Sequence, residues 1–164
     1  MADNSMMDLA SAAIDGRELV ITRTFQAPRE LVYQTWTDAT HLSRWWGPEG
    51  FAITTLAIDV RPGGVWRYVM HGPDGTDYPN RIQYVEAVPP ERLVYLHGDD
   101  DNPEHFRVTV TMERDGQATL LTMRMAFPTV EALEITVQQY GAIEGAKSTL
   151  ARLANELDAL ASRP

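Results

Sequence analysis

From Val130 to Ala161, apolar residues recur at Val130, Leu133, Val137, Tyr140, Ile143, Ala146, Leu150, Leu153, Leu157 and Leu160. Steps of three and four place them on one stripe of an α-helix. Glu131, Glu134, Gln138, Glu144, Lys147, Arg152, Glu156 and Asp158 fall on the other side, the wet face of a half-buried helix. Thr129 is positioned as its N-cap and Glu131 lies in its first turn. Gly141 and Gly145 interrupt the stripe. At each, the pattern predicts either a bend or the close approach of another group, since glycine costs about 1 kcal/mol against alanine within a helix.

The rest of the chain alternates with a period of two. Glu18 to Phe25 reads as a strand with Leu19, Ile21 and Arg23 sharing one face. Pro28 then opens a helix carrying Leu31, Val32, Thr35 and Trp36, and a second short helix runs from Thr40 to Trp46 before Gly47-Pro48. Six more strands are predicted. They cover Ala52 to Val60 (Leu56, Ile58 and Val60 on one face), Val65 to His71, Asn80 to Val88, Arg92 to His97, Phe106 to Met112, and Leu121 to Phe127. Pro62-Gly63 suits the centre of a type II turn, and Asp115-Gly116 marks a hairpin. Short turns between alternating strands imply an antiparallel meander with one face covered. The order of one strand, two helices, six strands and a long helix is an α+β layout, a curved sheet lying against the last helix. Residues 1–16 lack such periodicity. They read as a loose or marginally helical extension, dispensable for folding, ahead of a single domain spanning residues 17–164.

Composition narrows the function. The chain of 164 residues has 23 Asp plus Glu against 14 Lys plus Arg, a formal charge of −9, and Lys147 is its only lysine. Nucleic acid and anionic membrane are therefore excluded as expected partners, because both need a basic patch. The absence of cysteine removes disulfides, thiol nucleophiles and thiolate metal sites. No run has the length of a membrane-spanning helix, and the first residues lack a basic signal-peptide start. The reading is a soluble cytoplasmic protein, monomer or homodimer.

At this point the pattern resembles a known superfamily. Phe25-Gln26-Ala27-Pro28-Arg29-Glu30-Leu31-Val32-Tyr33 with Trp36 is similar to the opening of the START-related SRPBCC proteins. Arg44-Trp45-Trp46-Gly47-Pro48, Asp59-Val60-Arg61-Pro62-Gly63-Gly64, Pro89-Pro90-Glu91-Arg92-Leu93 and the tail from Glu144-Gly145 to Leu150-Ala151-Arg152-Leu153 resemble the group named after the activator of heat-shock-protein ATPase. The resemblance covers about Glu18 to Leu160 and implies a helix-grip fold. In that fold a seven-stranded antiparallel sheet wraps a long C-terminal helix and encloses an apolar cavity. The group commonly has a large aromatic after the Glu-Gly pair, whereas this chain has Ala146.

Candidate ligand-binding residues are those placed to face such a cavity. They are Trp45 and Trp46 at the expected mouth, then Trp66, Tyr68, Met70, Tyr84, Tyr95, His97, Met123 and Met125 on the sheet, and Tyr140, Ile143 and Ala146 on the helix. Aromatics and methionines suit a pocket for an apolar or aromatic molecule, and equally suit plain core packing. His97 can serve as a polar anchor or a base, or be a satisfied histidine without chemistry. The four histidines show no metal-ligand spacing, and no metal or other cofactor is expected. Asp99-Asp100-Asp101 lacks the alternating ligands and central glycine of a calcium loop and reads as a solvated hairpin tip. No nucleophile elbow, Walker loop or HExxH motif occurs, so no catalytic residue is assigned. Three functions remain. The first is a binding module for a hydrophobic small molecule. The resemblance implies the other two, a polyketide cyclase or aromatase-like enzyme and a chaperone-activating partner.

Overall fold

A computed structural model describes residues 9–162. Eight antiparallel strands form one sheet: β1 (Ser11–Asp15), β2 (Glu18–Phe25), β3 (Ala52–Ile58), β4 (Val65–His71), β5 (Asp77–Val88), β6 (Arg92–Gly98), β7 (Phe106–Asp115) and β8 (Ala118–Ala126). Their order across the sheet is β1-β2-β8-β7-β6-β5-β4-β3. Four helices complete the fold: α1 (Arg29–Thr37), α2 (Ala39–Trp45), α3 (Val130–Tyr140) and α4 (Ala142–Ala161). The sheet curves around the helices in a helix grip. Alternation sets which side chains meet. Leu19 pairs across to Met125 and Ile21 to Met123, while Val110 faces Met123 and Met112 faces Leu121 from the other neighbour. These residues, with Leu93, Leu150, Leu153 and Leu157, form the buried core. Arg23 keeps the same parity and is buried too, its guanidinium 5.2 Å from the Phe25 ring centroid.

Four expectations require correction. The N-terminal extension is not a separate piece. Ser11–Asp15 is an eighth strand, paired to β2 from Ser11↔Thr22 to Asp15↔Glu18, and Ala10 is buried. Residues 1–8 of that extension lie outside the described residues. The strand is held by its backbone and hardly by side chains, so hydropathy gives little sign of it. The Asp15-Gly16 pair, with Gly16 at φ 62°, is nonetheless the same hairpin signal as Asp115-Gly116.

The C-terminal segment is two helices and not one. Gly141 takes φ 61°, ψ 40°, ending α3 in the left-handed conformation that glycine adopts most readily. The stripe also fails at the two ends of α3, where Val130 and Tyr140 are exposed. A third correction concerns β3, whose pairing with β4 slips between Thr55 and Ala57. This bulge turns Leu56 outward, 66% exposed, while Ile53, Ile58 and Val60 pack against the core.

Finally, Glu156 does not lie on a wet face. It is 7% exposed and accepts from Arg44 Nη1 at 3.3 Å, with His41 Nδ1 at 2.9 Å from the same oxygen. Arg152 is likewise turned inward. Its Nη1 donates to the carbonyls of Gly47, Pro48 and Phe51 at 2.9, 3.2 and 3.1 Å, fastening α4 to the loop after α2.

Candidate functional site

Between the sheet and the α3–α4 joint lies a cavity of about 390 Å³. Its back wall follows from strand parity. Alternation on β4 sends Trp66, Tyr68 and Met70 inward, and the register sets Asn80 of β5 opposite Tyr68. Tyr95 and His97 of β6 lie opposite Val108 and Phe106 of β7, and Val108 in turn opposes Met125 of β8. The aromatic side is built where α2 ends. Trp46 stacks edge-on to Trp45, Trp36 and Trp66, with centroids at 5.4, 6.0 and 4.9 Å, and Trp66 lies flat on Tyr68 at 4.3 Å. Such edge and offset contacts add to burial and stiffen the wall. The helix side is thin. Gly141, Ala142, Gly145 and Ala146 present little more than backbone and methyl groups to the space. Tyr140, 76% exposed, stands at the opening.

Most of the predicted residues meet here. Trp45, Trp46, Tyr68, Met70, Tyr95, His97, Met123, Met125, Tyr140 and Ala146 all line the cavity. Three do not. Trp66 sits behind Tyr68, Tyr84 packs edge-on to Tyr95 at 6.2 Å deeper in the sheet, and Ile143 packs against the core beside the opening. Strand parity makes Trp66 and Tyr84 inward-facing, but it does not tell a cavity wall from the core behind it. Trp36, Asn80, His105, Phe106 and Thr149 line the space without having been anticipated. Asn80 was legible, since it shares parity with Tyr84 and Ile82. His105 lies in a loop, where no periodicity reports its direction.

The polar groups gather at one end. Trp46 Nε1 donates to Tyr68 Oη at 2.9 Å; His97 Nε2 is 3.2 Å from the same oxygen and 3.0 Å from Asn80 Oδ1. Asn80 Nδ2 donates to the Tyr78 carbonyl at 3.0 Å, which fixes the amide with its oxygen toward His97. Burial, reinforced by the nearby His105, pushes the His97 pKa down to about 4, so the imidazole is neutral at pH 7. Burial raises both Tyr68 and Tyr95 above the ordinary phenol range, although a hydrogen bond from Trp46 to the one and from Trp36 to the other acts in the opposite sense. Both remain protonated. No Asp, Glu, Lys or Arg is among the described residues lining the cavity.

The other histidines have partners of their own, His105 among them although it also lines the cavity. His41 meets Glu156, His71 lies between Thr54 and Asp77, and His105 approaches Asp99 at 3.4 Å. Among the described residues no group of three or more His, Cys, Asp or Glu is arranged to hold a metal ion. In the acidic tip, Asp99 Oδ1 accepts from the backbone of Asp101 and Asn102, and Asp100 pairs with Arg67 and Arg81. The carboxylates of Asp99 and Asp100 thus serve the hairpin and its basic neighbours.

Residues 26–158 match the family model of the activator of Hsp90 ATPase homolog 1-like proteins. The chain belongs to this family. It lies within the SRPBCC superfamily, whose helix grip it shares. Protein Ms6760 from Mycobacterium smegmatis is 31% identical, with a TM-score of 0.81 over 92% of this chain and 97% of that one. The AHSA1 protein from Silicibacter pomeroyi is 26% identical, with a TM-score of 0.70 over 87% and 99%. Protein NE0264 from Nitrosomonas europaea shares the fold at 24% identity, with a TM-score of 0.82 over 92% and 100%. No functionally curated protein matches the sequence. Among the described residues no helix is long and apolar enough to cross a membrane. These relatives share this architecture.

Proposed function

We propose that the protein binds a neutral, largely apolar small molecule of aromatic character in the cavity beneath the α3–α4 joint. The observation that carries this reading is the wall itself. Trp36, Trp46, Phe106 and three methionines surround about 390 Å³, with no Asp, Glu, Lys or Arg among the described lining residues. Ligand pockets span roughly 300–1,000 Å³ and combine apolar walls with a few convergent polar groups, so this one suits a compact ligand of two or three rings. A charged ligand would lose its hydration there without gaining a counter-ion.

Binding is favoured over cyclase-type catalysis for a specific reason. A general base works best with a pKa near the working pH, and burial has moved His97 down to about 4. No carboxylate among the described lining residues is available to take its place. The test is titration with N-phenyl-1-naphthylamine, an uncharged probe whose emission rises in apolar surroundings, alongside native mass spectrometry of freshly purified protein. Saturable one-to-one binding that quenches tryptophan fluorescence is the expected result. Absence of both probe binding and any co-purified small molecule would count against the reading.

A further inference from the structure

Resting on that binding reading, we infer that the ligand carries a hydrogen-bond acceptor, a carbonyl-type oxygen, which receives the phenolic proton of Tyr68. The inference comes from counting protons at the polar end of the cavity. An indole nitrogen can only donate, so Trp46 Nε1–H, 2.9 Å away, makes Tyr68 Oη an acceptor. The Asn80 amide is fixed by its bond to the Tyr78 carbonyl, which turns Oδ1 toward His97 Nε2 at 3.0 Å. Oδ1 can only accept, so Nε2 carries the hydrogen and the lone pair lies on Nδ1. His97 Nε2–H therefore donates to Asn80 and cannot receive the proton of Tyr68, 3.2 Å away.

Tyr68 Oη thus faces two N–H groups, and its own hydrogen must go elsewhere. Among the described residues it has no third hydrogen-bonding neighbour, and Tyr68 lines the cavity. A buried hydroxyl whose hydrogen is unused carries a penalty that a ligand acceptor removes. A group with hydrogens to donate and no lone pair to offer would meet only N–H groups and the phenolic hydrogen. The site therefore selects for an acceptor atom, and a carbonyl oxygen supplies one without adding a donor that needs its own partner. Stacking of Tyr68 on Trp66 at 4.3 Å fixes the ring and hence the acceptor's place, against the aromatic wall.

Two ligands of nearly equal shape separate this inference from the reading beneath it: 9-fluorenone, which has a ketone oxygen, and fluorene, which has none. Their affinities are measured by tryptophan quenching with the wild type and with Tyr68→Phe. The wild type should prefer the ketone by about three- to tenfold, the range of one neutral hydrogen bond. Tyr68→Phe should erase that preference and keep fluorene binding within about twofold. The carbonyl stretch of fluorenone bound to the wild type should lie at lower frequency than in cyclohexane, a readout that stands even where the variant fails to fold. Equal affinities in the wild type, an unshifted stretch, or a preference that survives Tyr68→Phe each overturns the acceptor while leaving the apolar cavity as proposed. Failure of both compounds to bind overturns the two together.

Discussion

Ala146 is the position at which the cavity can be closed by one substitution. It lies on α4, lines the space together with Tyr95 and Met123 of the sheet, and contributes only a methyl group. Ala146→Trp sets opposing contributions against each other. A large aromatic buries about 150–250 Å², which at about 25 cal/mol per Å² is a gross gain of about 4–6 kcal/mol. Where the cavity opens beside Tyr140 only part of the indole can be covered, and half that figure is a fair expectation. Against it stand up to about 0.7 kcal/mol of helix propensity and about 1 kcal/mol of side-chain ordering. The net is a gain of about 1 kcal/mol, or a rise of about 2–4 °C in Tm for a chain of this size. The assay pairs a thermal melt with N-phenyl-1-naphthylamine titration. Probe affinity should fall at least about tenfold as the melt holds or rises. A variant destabilised by about 1–3 kcal/mol would mean that neighbours already occupy the volume. A stable variant with undiminished probe binding would place the probe elsewhere. Either result refutes the reasoning.

Further expectations concern the joint, the histidine and the first strand. Gly141→Ala should cost about 1–2 kcal/mol, because the backbone at φ 61° is left-handed and no neighbour lies within 4 Å to complicate the sign. Gly145→Ala, four residues on, has helical backbone and equally open space, and should gain up to about 1 kcal/mol. Urea melts that moved both variants the same way would contradict the two-helix description. The depressed His97 makes stability pH-dependent in one window: below about 6.5 the unfolded chain takes up the proton first, so stability falls as pH drops toward 4 and levels off beneath it. The loss is on the order of 3 kcal/mol, and His97→Gln should flatten that part of the difference between pH 7 and pH 4 melts. Removing residues 1–16 strips β1 from β2 and should lower Tm by at least about 2–4 °C, whereas an unchanged melt would show the eighth strand to be energetically idle.

Strand parity made the inward face of the sheet legible in the sequence. Phe106, Val108, Val110 and Met112 alternate because one face of β7 is buried and the other wet, and a period of two then assigns Met123, Met125, Tyr95 and His97 to the same side. Where the sequence misled, the missing information was geometric. One extra residue between Thr55 and Ala57 turned Leu56 outward, and a single dihedral at Gly141 divided a stripe that looks continuous. Glu156 has the composition of a wet helix face. Only the approach of His41 and Arg44 from α2 explains its burial, and no periodicity within α4 encodes that neighbour. The same holds for Tyr68. Its face was evident from alternation, while the direction of its proton depends on three partners far apart in the chain.

The hydrogen bonds of the cavity come from the sheet and the end of α2, whereas α4 contributes mostly small residues to it, and this division has a consequence for how such a protein diversifies. Recognition and capacity are encoded on different elements. Gly145, Ala146 and Thr149 can be enlarged or exchanged without changing Trp46, Tyr68, Asn80 or His97, so on the proposed reading the size of the ligand can drift while its acceptor oxygen keeps the same berth. A library randomised at those three helix positions should therefore yield receptors that sort ligands by bulk yet share a demand for an acceptor. Randomising Trp46, Tyr68, Asn80 or His97 should instead change which functional group is read, and at a greater cost in folding, because those side chains also satisfy one another.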